Sequence, residues 1–166
     1  PAGGNATVIY EAALNEYAPL GTEASVTNTA TVSGTGITPV TAAETVNAEA
    51  APNLAITKSV SPVPVTENGT LTYTFRIQNY GSVAATNTTG VVITDTFAPV
   101  LNNLTAALNG TAWTAATDYT YDEATGTFSS TAGAITVPAA TYTQDSTTGA
   151  WVVTPGESTL VITGTV

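Results

Sequence analysis

Gly69-Thr-Leu-Thr-Tyr-Thr-Phe-Arg-Ile-Gln-Asn79 is the stretch on which the reading of this chain turns. Leu71, Tyr73, Phe75 and Ile77 alternate with Thr72, Thr74, Arg76 and Gln78, a period of two that gives a strand one apolar and one polar face. Glu67-Asn-Gly69 supplies the turn before it. The same alternation, bounded by Gly, Pro and Asn, recurs at Ala6–Leu14, Ala24–Ser33, Leu54–Val60, Gly90–Phe97, Leu104–Leu108, Tyr119–Tyr121, Phe128–Ser130, Ala134–Val137, Trp151–Val153 and Thr159–Val166. Tyr119–Phe128 reads as a hairpin that turns at Gly126, where a left-handed backbone is tolerated. Helical periodicity is weak throughout. Short strands spaced roughly 8–12 residues apart predict an all-β chain folded as a β-sandwich.

Composition agrees and narrows the function. Thr occurs 36 times in 166 residues, and β-branched residues suit a pleated, half-buried surface. There is no Cys, His or Met; Lys58 and Arg76 face 12 acidic residues, for a net charge of −10. Without Cys or His, thiol and Ser/His/Asp catalysis and the common zinc, haem and iron–sulfur ligand sets are excluded. The expectation is a non-enzyme with no cofactor and no metal. Two basic residues cannot neutralise a phosphate backbone, so no nucleic-acid partner is expected. No apolar run approaches the roughly 20 residues of a membrane span, and no membrane insertion is expected of this segment. Sparse charge over a Thr, Ser and Asn surface fits an extracellular, cell-surface scaffold, which without disulfides needs another staple. With no leader evident, the chain is expected to be a mature product or a section of something longer.

The chain also resembles itself. Gly156-Glu-Ser-Thr-Leu-Val-Ile-Thr-Gly-Thr-Val166 aligns without gaps on Gly4-Asn-Ala-Thr-Val-Ile-Tyr-Glu-Ala-Ala-Leu14, with the Gly pair and Thr159/Thr7 identical and the apolar phase shared. On this reading the chain starts and ends in the same strand of a repeating unit. Chance likeness between two Thr/Val-rich strands is the competing explanation.

Leu54-Ala-Ile-Thr-Lys-Ser-Val60, Gly69-Thr-Leu-Thr-Tyr-Thr-Phe75 with Gln78-Asn-Tyr-Gly81, and Val92-Ile-Thr-Asp-Thr-Phe97 follow one another in a familiar order. The chain resembles the repeat domain of unknown function strung in tandem along giant bacterial and archaeal surface proteins, and is similar to the isopeptide-forming domains of Gram-positive fimbrial proteins. The closing strands of that family look like Gly4–Tyr10 and Val26-Thr-Asn-Thr-Ala-Thr-Val32, which here come first. The resemblance implies that residues 1–50 complete a neighbouring domain and that residues 51–166 are an immunoglobulin-like sandwich lacking its last strand. An unfinished sandwich exposes an unpaired edge that captures a partner strand. Head-to-tail capture does not close on itself, so identical neighbouring subunits or repeats would form a fibre.

Three polar residues share the apolar phase of their strands: Lys58 with Leu54, Ile56 and Val60; Asp95 with Val91, Ile93 and Phe97; Asn28 with Val26, Ala30 and Val32. Burial disfavours the charged forms of Lys and Asp, and a neutral amine is a nucleophile. Attack of Lys58 on Asn28, assisted by Asp95, would release ammonia and leave an amide. In the fimbrial domains that the chain resembles, a Lys, an Asn and an acidic residue in these places form such an isopeptide bond. Because Asn28 lies upstream of the Lys58 strand, the bond would join one unit to the next. The alternative is a hydrogen-bonded set with no bond, and Asn79, also inward, shows that phase alone does not decide.

Other patterns are weaker. Asn5, Asn68, Asn87, Asn103 and Asn109 begin Asn-x-Thr sequences, frequent by chance in so Thr-rich a chain. Asp118, Asp122, Glu123 and Asp145 read as turn residues rather than a calcium loop. Trp113, Trp151, Tyr119 and Tyr121 suggest a carbohydrate-binding face if they cluster on the surface, and core packing otherwise. The sequence therefore predicts a structural unit of an extracellular filament, with an adhesin or carbohydrate-binding module as the alternative.

Overall fold

The computed structural model describes residue 4, residues 6–22 and residues 24–166. Asn5, the start of one Asn-x-Thr pattern, lies outside the described residues. The described residues form strands and no α-helix: β1 (Ser25–Gly34), β2 (Ile37–Asn47), β3 (Leu54–Ser61), β4 (Thr70–Asn79), β5 (Thr94–Thr96), β6 (Asn102–Leu108), β7 (Thr111–Ala112), β8 (Tyr119–Asp122), β9 (Thr127–Ser130), β10 (Thr141–Gln144), β11 (Trp151–Thr154) and β12 (Gly156–Thr165). A five-stranded sheet runs β3-β4-β12-β6-β7, a three-stranded sheet runs β5-β9-β8, and β1–β2 and β10–β11 are separate hairpins. Every pairing between these strands is antiparallel.

The alternation in the sequence explains why these layers meet. On β4, Leu71, Tyr73, Phe75 and Ile77 are buried; on β12, Leu160 and Ile162 are fully buried in the same layer. They join Phe97, Tyr119, Phe128, Leu101, Ile135 and Val137 in one core. Tyr73 meets Phe97 at 4.7 Å between ring centroids, and Tyr119 stacks on Phe128 at 5.3 Å. Burying each such aromatic side chain is worth on the order of 2–3 kcal/mol. The result is all-β, with several antiparallel sheets, and consistent with a β-sandwich. The turn between β8 and β9 is where the sequence puts it. Gly126 has φ 73°, and a Cβ there would lie 2.4 Å from the Phe97 carbonyl oxygen.

Five segments differ from the sequence expectation. Ala6–Leu14 pairs with no strand, and Val8 and Ile9 are among the most exposed apolar residues described. The β2 and β10 strands were not legible: Pro39 and the pair Ala42-Ala43 dilute the first, and Pro is tolerated because β2 needs only one ladder. Ala134–Val137 enters the core without becoming a strand, its one bridge joining Val137 to Ala85. Gly90–Phe97 is regular only over Thr94–Thr96, because β5 has a neighbour on one side alone.

Asn79 closes one end of the core. Its side-chain oxygen accepts the backbone N–H groups of Asn53 and Gly81, at 2.9 Å each, and its amide donates to the Val83 and Pro138 carbonyls. All of its hydrogen-bonding capacity is used at zero exposure. The other inward-phase asparagine, Asn28, is exposed. Asn79→Ala is therefore expected to cost about 2–3 kcal/mol, since buried N–H and C=O groups lose their partners. Asn28→Ala is expected to cost under about 0.5 kcal/mol in the isolated chain. Urea unfolding of the two variants measures the contrast.

Candidate functional site

The site begins with the phase of β3. Its register sets Ile56 opposite Ile77, Lys58 opposite Phe75 and Val60 opposite Tyr73, so the row Leu54, Ile56, Lys58, Val60 faces the core side of the sheet. On β4 that face is buried. On β3 it is open: Ile56 is 53% exposed, Val60 39% and Leu54 37%. The cause is the unequal width of the sheets. At one flank, β6 meets β8, where the Tyr119 hydroxyl donates to the Leu104 carbonyl at 3.3 Å. At the other, the smaller sheet ends at β5, and among the described residues no strand covers β3. The gap is an apolar groove of about 160 Å³ lined by Leu54, Ile56, Ile77, Val91 and Ile93.

Lys58 and Asp95 bridge this gap, one from each sheet edge. The Lys58 ammonium is ion-paired and hydrogen-bonded to Asp95 Oδ2. It lies 4.8 Å from the Tyr73 ring centroid, 5.2 Å from Phe97 and 5.5 Å from Phe75. An aromatic floor of this kind favours a cation. The Asp95 carboxylate is oriented by a second bond, accepting the Thr96 N–H at 2.9 Å through Oδ1. Neither side chain is enclosed; the Lys58 side chain is 39% exposed and that of Asp95 18%. An amine held by its proton acceptor at the mouth of an apolar groove needs only an electrophile and the removal of water to react.

Asn28 is not part of this assembly within one chain. Its side-chain amide donates to the Tyr10 hydroxyl, and its cross-strand neighbour in the hairpin is Glu44. Of the three residues singled out by strand phase, the structure brings two together and holds the third elsewhere. Glu44 was missed by sequence reasoning because its strand was missed.

The remaining candidates have local explanations. Tyr119 is buried, Tyr121 and Trp113 pack against the core, and Trp151 lies on the β10–β11 hairpin, so these aromatics form no single face. Asp118 accepts the Thr114 N–H. Asp122 accepts the Thr125 hydroxyl and the Ala124 N–H, and Asp145 accepts the N–H groups of Thr147 and Thr148. Among the described residues no group of three or more His, Cys, Asp or Glu is poised for a metal ion.

Those turn bonds set a pH dependence. The Thr125 hydroxyl, then the Ala124 N–H, hold the Asp122 carboxyl below its ordinary value; the Thr148 and Thr147 N–H groups do the same for Asp145. A lowered folded-state value means stabilisation that is present above the unfolded value near 3.9 and lost as pH falls through the folded one. Both turns are expected to stay intact at pH 5 and to loosen only below the usual aspartate range, as carboxyl titration by NMR would register. For the exposed Lys58–Asp95 pair, Lys58→Met is expected to change the stability of the isolated chain by less than about 1 kcal/mol in urea unfolding. No family model, curated protein or solved structure matches this chain, so the functional reading rests on the site itself.

Proposed function

We propose that this chain is an immunoglobulin-like building block of an extracellular surface filament, as a subunit or as one repeat. Residues 1–50 of one unit close the 51–166 body of the next by β-strand complementation, and a bond between Lys58 and Asn28 secures the junction. The observation that carries the reading is the uncovered inward face of β3, with a Lys58–Asp95 pair at its centre. The same chain presents Asn28 on an exposed hairpin with Val32, Val40 and Val46. A site open on one copy and a filler displayed on every copy make a heterologous contact, which propagates as a fibre.

Closure supplies the chemistry. Covering the groove strips water from the ion pair, and a buried charge pair is relieved when Lys58 passes its proton to Asp95. The neutral Nζ attacks the Asn28 side-chain carbonyl carbon, the C–N bond to the amide nitrogen breaks, and that nitrogen departs as ammonia with a proton from the attacking amine. Asp95 is left neutral beside the new amide. The bond forms once and then acts as the staple that a chain without cysteine lacks.

Concentrated protein is expected to show unbranched filaments by electron microscopy and a ladder that survives boiling in detergent, each junction lighter by one ammonia in intact mass. Lys58→Ala and Asn28→Ala should each abolish the ladder and the mass loss while leaving filaments that detergent dissolves. Protein that stays monomeric at every concentration in light scattering would overturn the reading.

A further inference from the structure

The donor hairpin is built as half of a sandwich. Its register pairs Val26 with Val46, Asn28 with Glu44, Ala30 with Ala42 and Val32 with Val40. Cross-strand partners share a face, so these eight residues form one surface, apolar except at its centre. The opposite surface carries Thr27 with Thr45, Thr29 with Ala43 and Thr31 with Thr41, and the Thr27 and Thr45 hydroxyls bond to each other at 2.8 Å. Most of the apolar surface faces water, Val32, Val40 and Val46 being 67%, 65% and 70% exposed; at its Val26 end Ala12 and Leu14 of the same chain line a shared pocket, and the Asn28 amide donates to the Tyr10 hydroxyl. A lone two-stranded hairpin is marginal in water, and a sheet with one apolar face is stable when that face is covered.

The acceptor has room for added sheet at one flank. There β3 and β5 are both edge strands, and the groove beside them is lined by apolar residues from both sides, Leu54, Ile56, Ile77, Val91 and Ile93. Adjacent strands lie about 4.8 Å apart, so a two-stranded donor covers twice the width of a single strand and buries the apolar residues of both β1 and β2. The charges match as well. Glu44 is the one ionisable group on the hairpin's apolar surface, and Lys58 is the cation next along the β3 row from the groove-lining Ile56.

Resting on the strand-complementation reading, we infer that the donor is the intact β1–β2 hairpin of a second copy, not a single strand. It adds to the free edge of β5 with β1 inside and β2 outermost, apolar surface down. Asn28 then neighbours Asp95 across the new strand pair, and Glu44 flanks Lys58 on the side away from Asp95. The donor brings one of the two carboxylates that bracket the amine.

The full-length chain tests this with a lock on its polar surface. The Thr27 and Thr45 side chains meet across the two strands, and the chain contains no cysteine, so oxidised Thr27→Cys/Thr45→Cys ties β1 to β2 without touching the apolar face. The intact-hairpin donor predicts filaments from the oxidised variant at the wild-type critical concentration. It also predicts that Val40→Asp, on β2 and facing the groove, raises that concentration at least about tenfold, the equivalent of ~1.4 kcal/mol. Thr41→Asp, on the outward face, should leave it within about twofold. Filaments lost on oxidation and restored by reduction, or Val40→Asp assembling like wild type, would overturn the intact hairpin while leaving strand complementation standing. Wild-type protein whose own hairpin becomes protected in hydrogen exchange without any association would overturn both.

Discussion

The structure depends on one mismatch: a five-stranded sheet faces a three-stranded one, and the edge strand β3 keeps an inward row that the smaller sheet leaves exposed. At the opposite flank the two sheets are tied together, Tyr119 stacking on Phe128 and donating its hydroxyl to the Leu104 carbonyl of β6. At the open flank the β3 row keeps the phase of a core strand but not its burial. A sandwich edge in this state exposes both unused ladder groups on β5 and apolar side chains on β3. Those two liabilities are satisfied by the same kind of object, an added piece of sheet.

The electrostatics of the chain gain meaning at this flank. With one Lys and one Arg in 166 residues, a cation is a scarce resource. Arg76 lies on the outer face, bonded to Glu157, which raises the guanidinium further above its ordinary value. Lys58 is placed instead on aromatic rings at the groove, against an acid from the other sheet. Half-exposed, the pair costs little to maintain; enclosed, it would be an expensive charge pair unless its proton moved. The same two residues therefore sit comfortably in the open unit, and under the proposed closure they would lose the water that solvates them as an ion pair.

Legibility followed side-chain periodicity. Leu71, Tyr73, Phe75 and Ile77 announced β4, and Lys58 and Asp95 announced their faces, because alternation is a local property that needs no partner. Asn79 and Asn28 had the same signature and opposite fates, one clamped by four hydrogen bonds and the other exposed, since phase says which way a side chain points and not what meets it. Ala6–Leu14 carried a strand pattern without acquiring a neighbour. Strand β2 acquired a neighbour without a clear pattern, its Pro39 and alanines being acceptable on an outer strand.

What the sequence determined by itself was the all-β class, the β4 and β12 core faces, the absence of thiol and imidazole chemistry, and the inward phase of Lys58, Asp95 and Asn28. Only the tertiary structure decided that Lys58 and Asp95 meet, that their groove is open, and that Asn28 stays apart beside Tyr10. It also decided that Glu44 shares the Asn28 face. Alternation is written residue by residue along a strand, whereas contact between strands 37 positions apart and the width of a sheet depend on which edges find partners. That is a property of the assembled layers and not of any one segment.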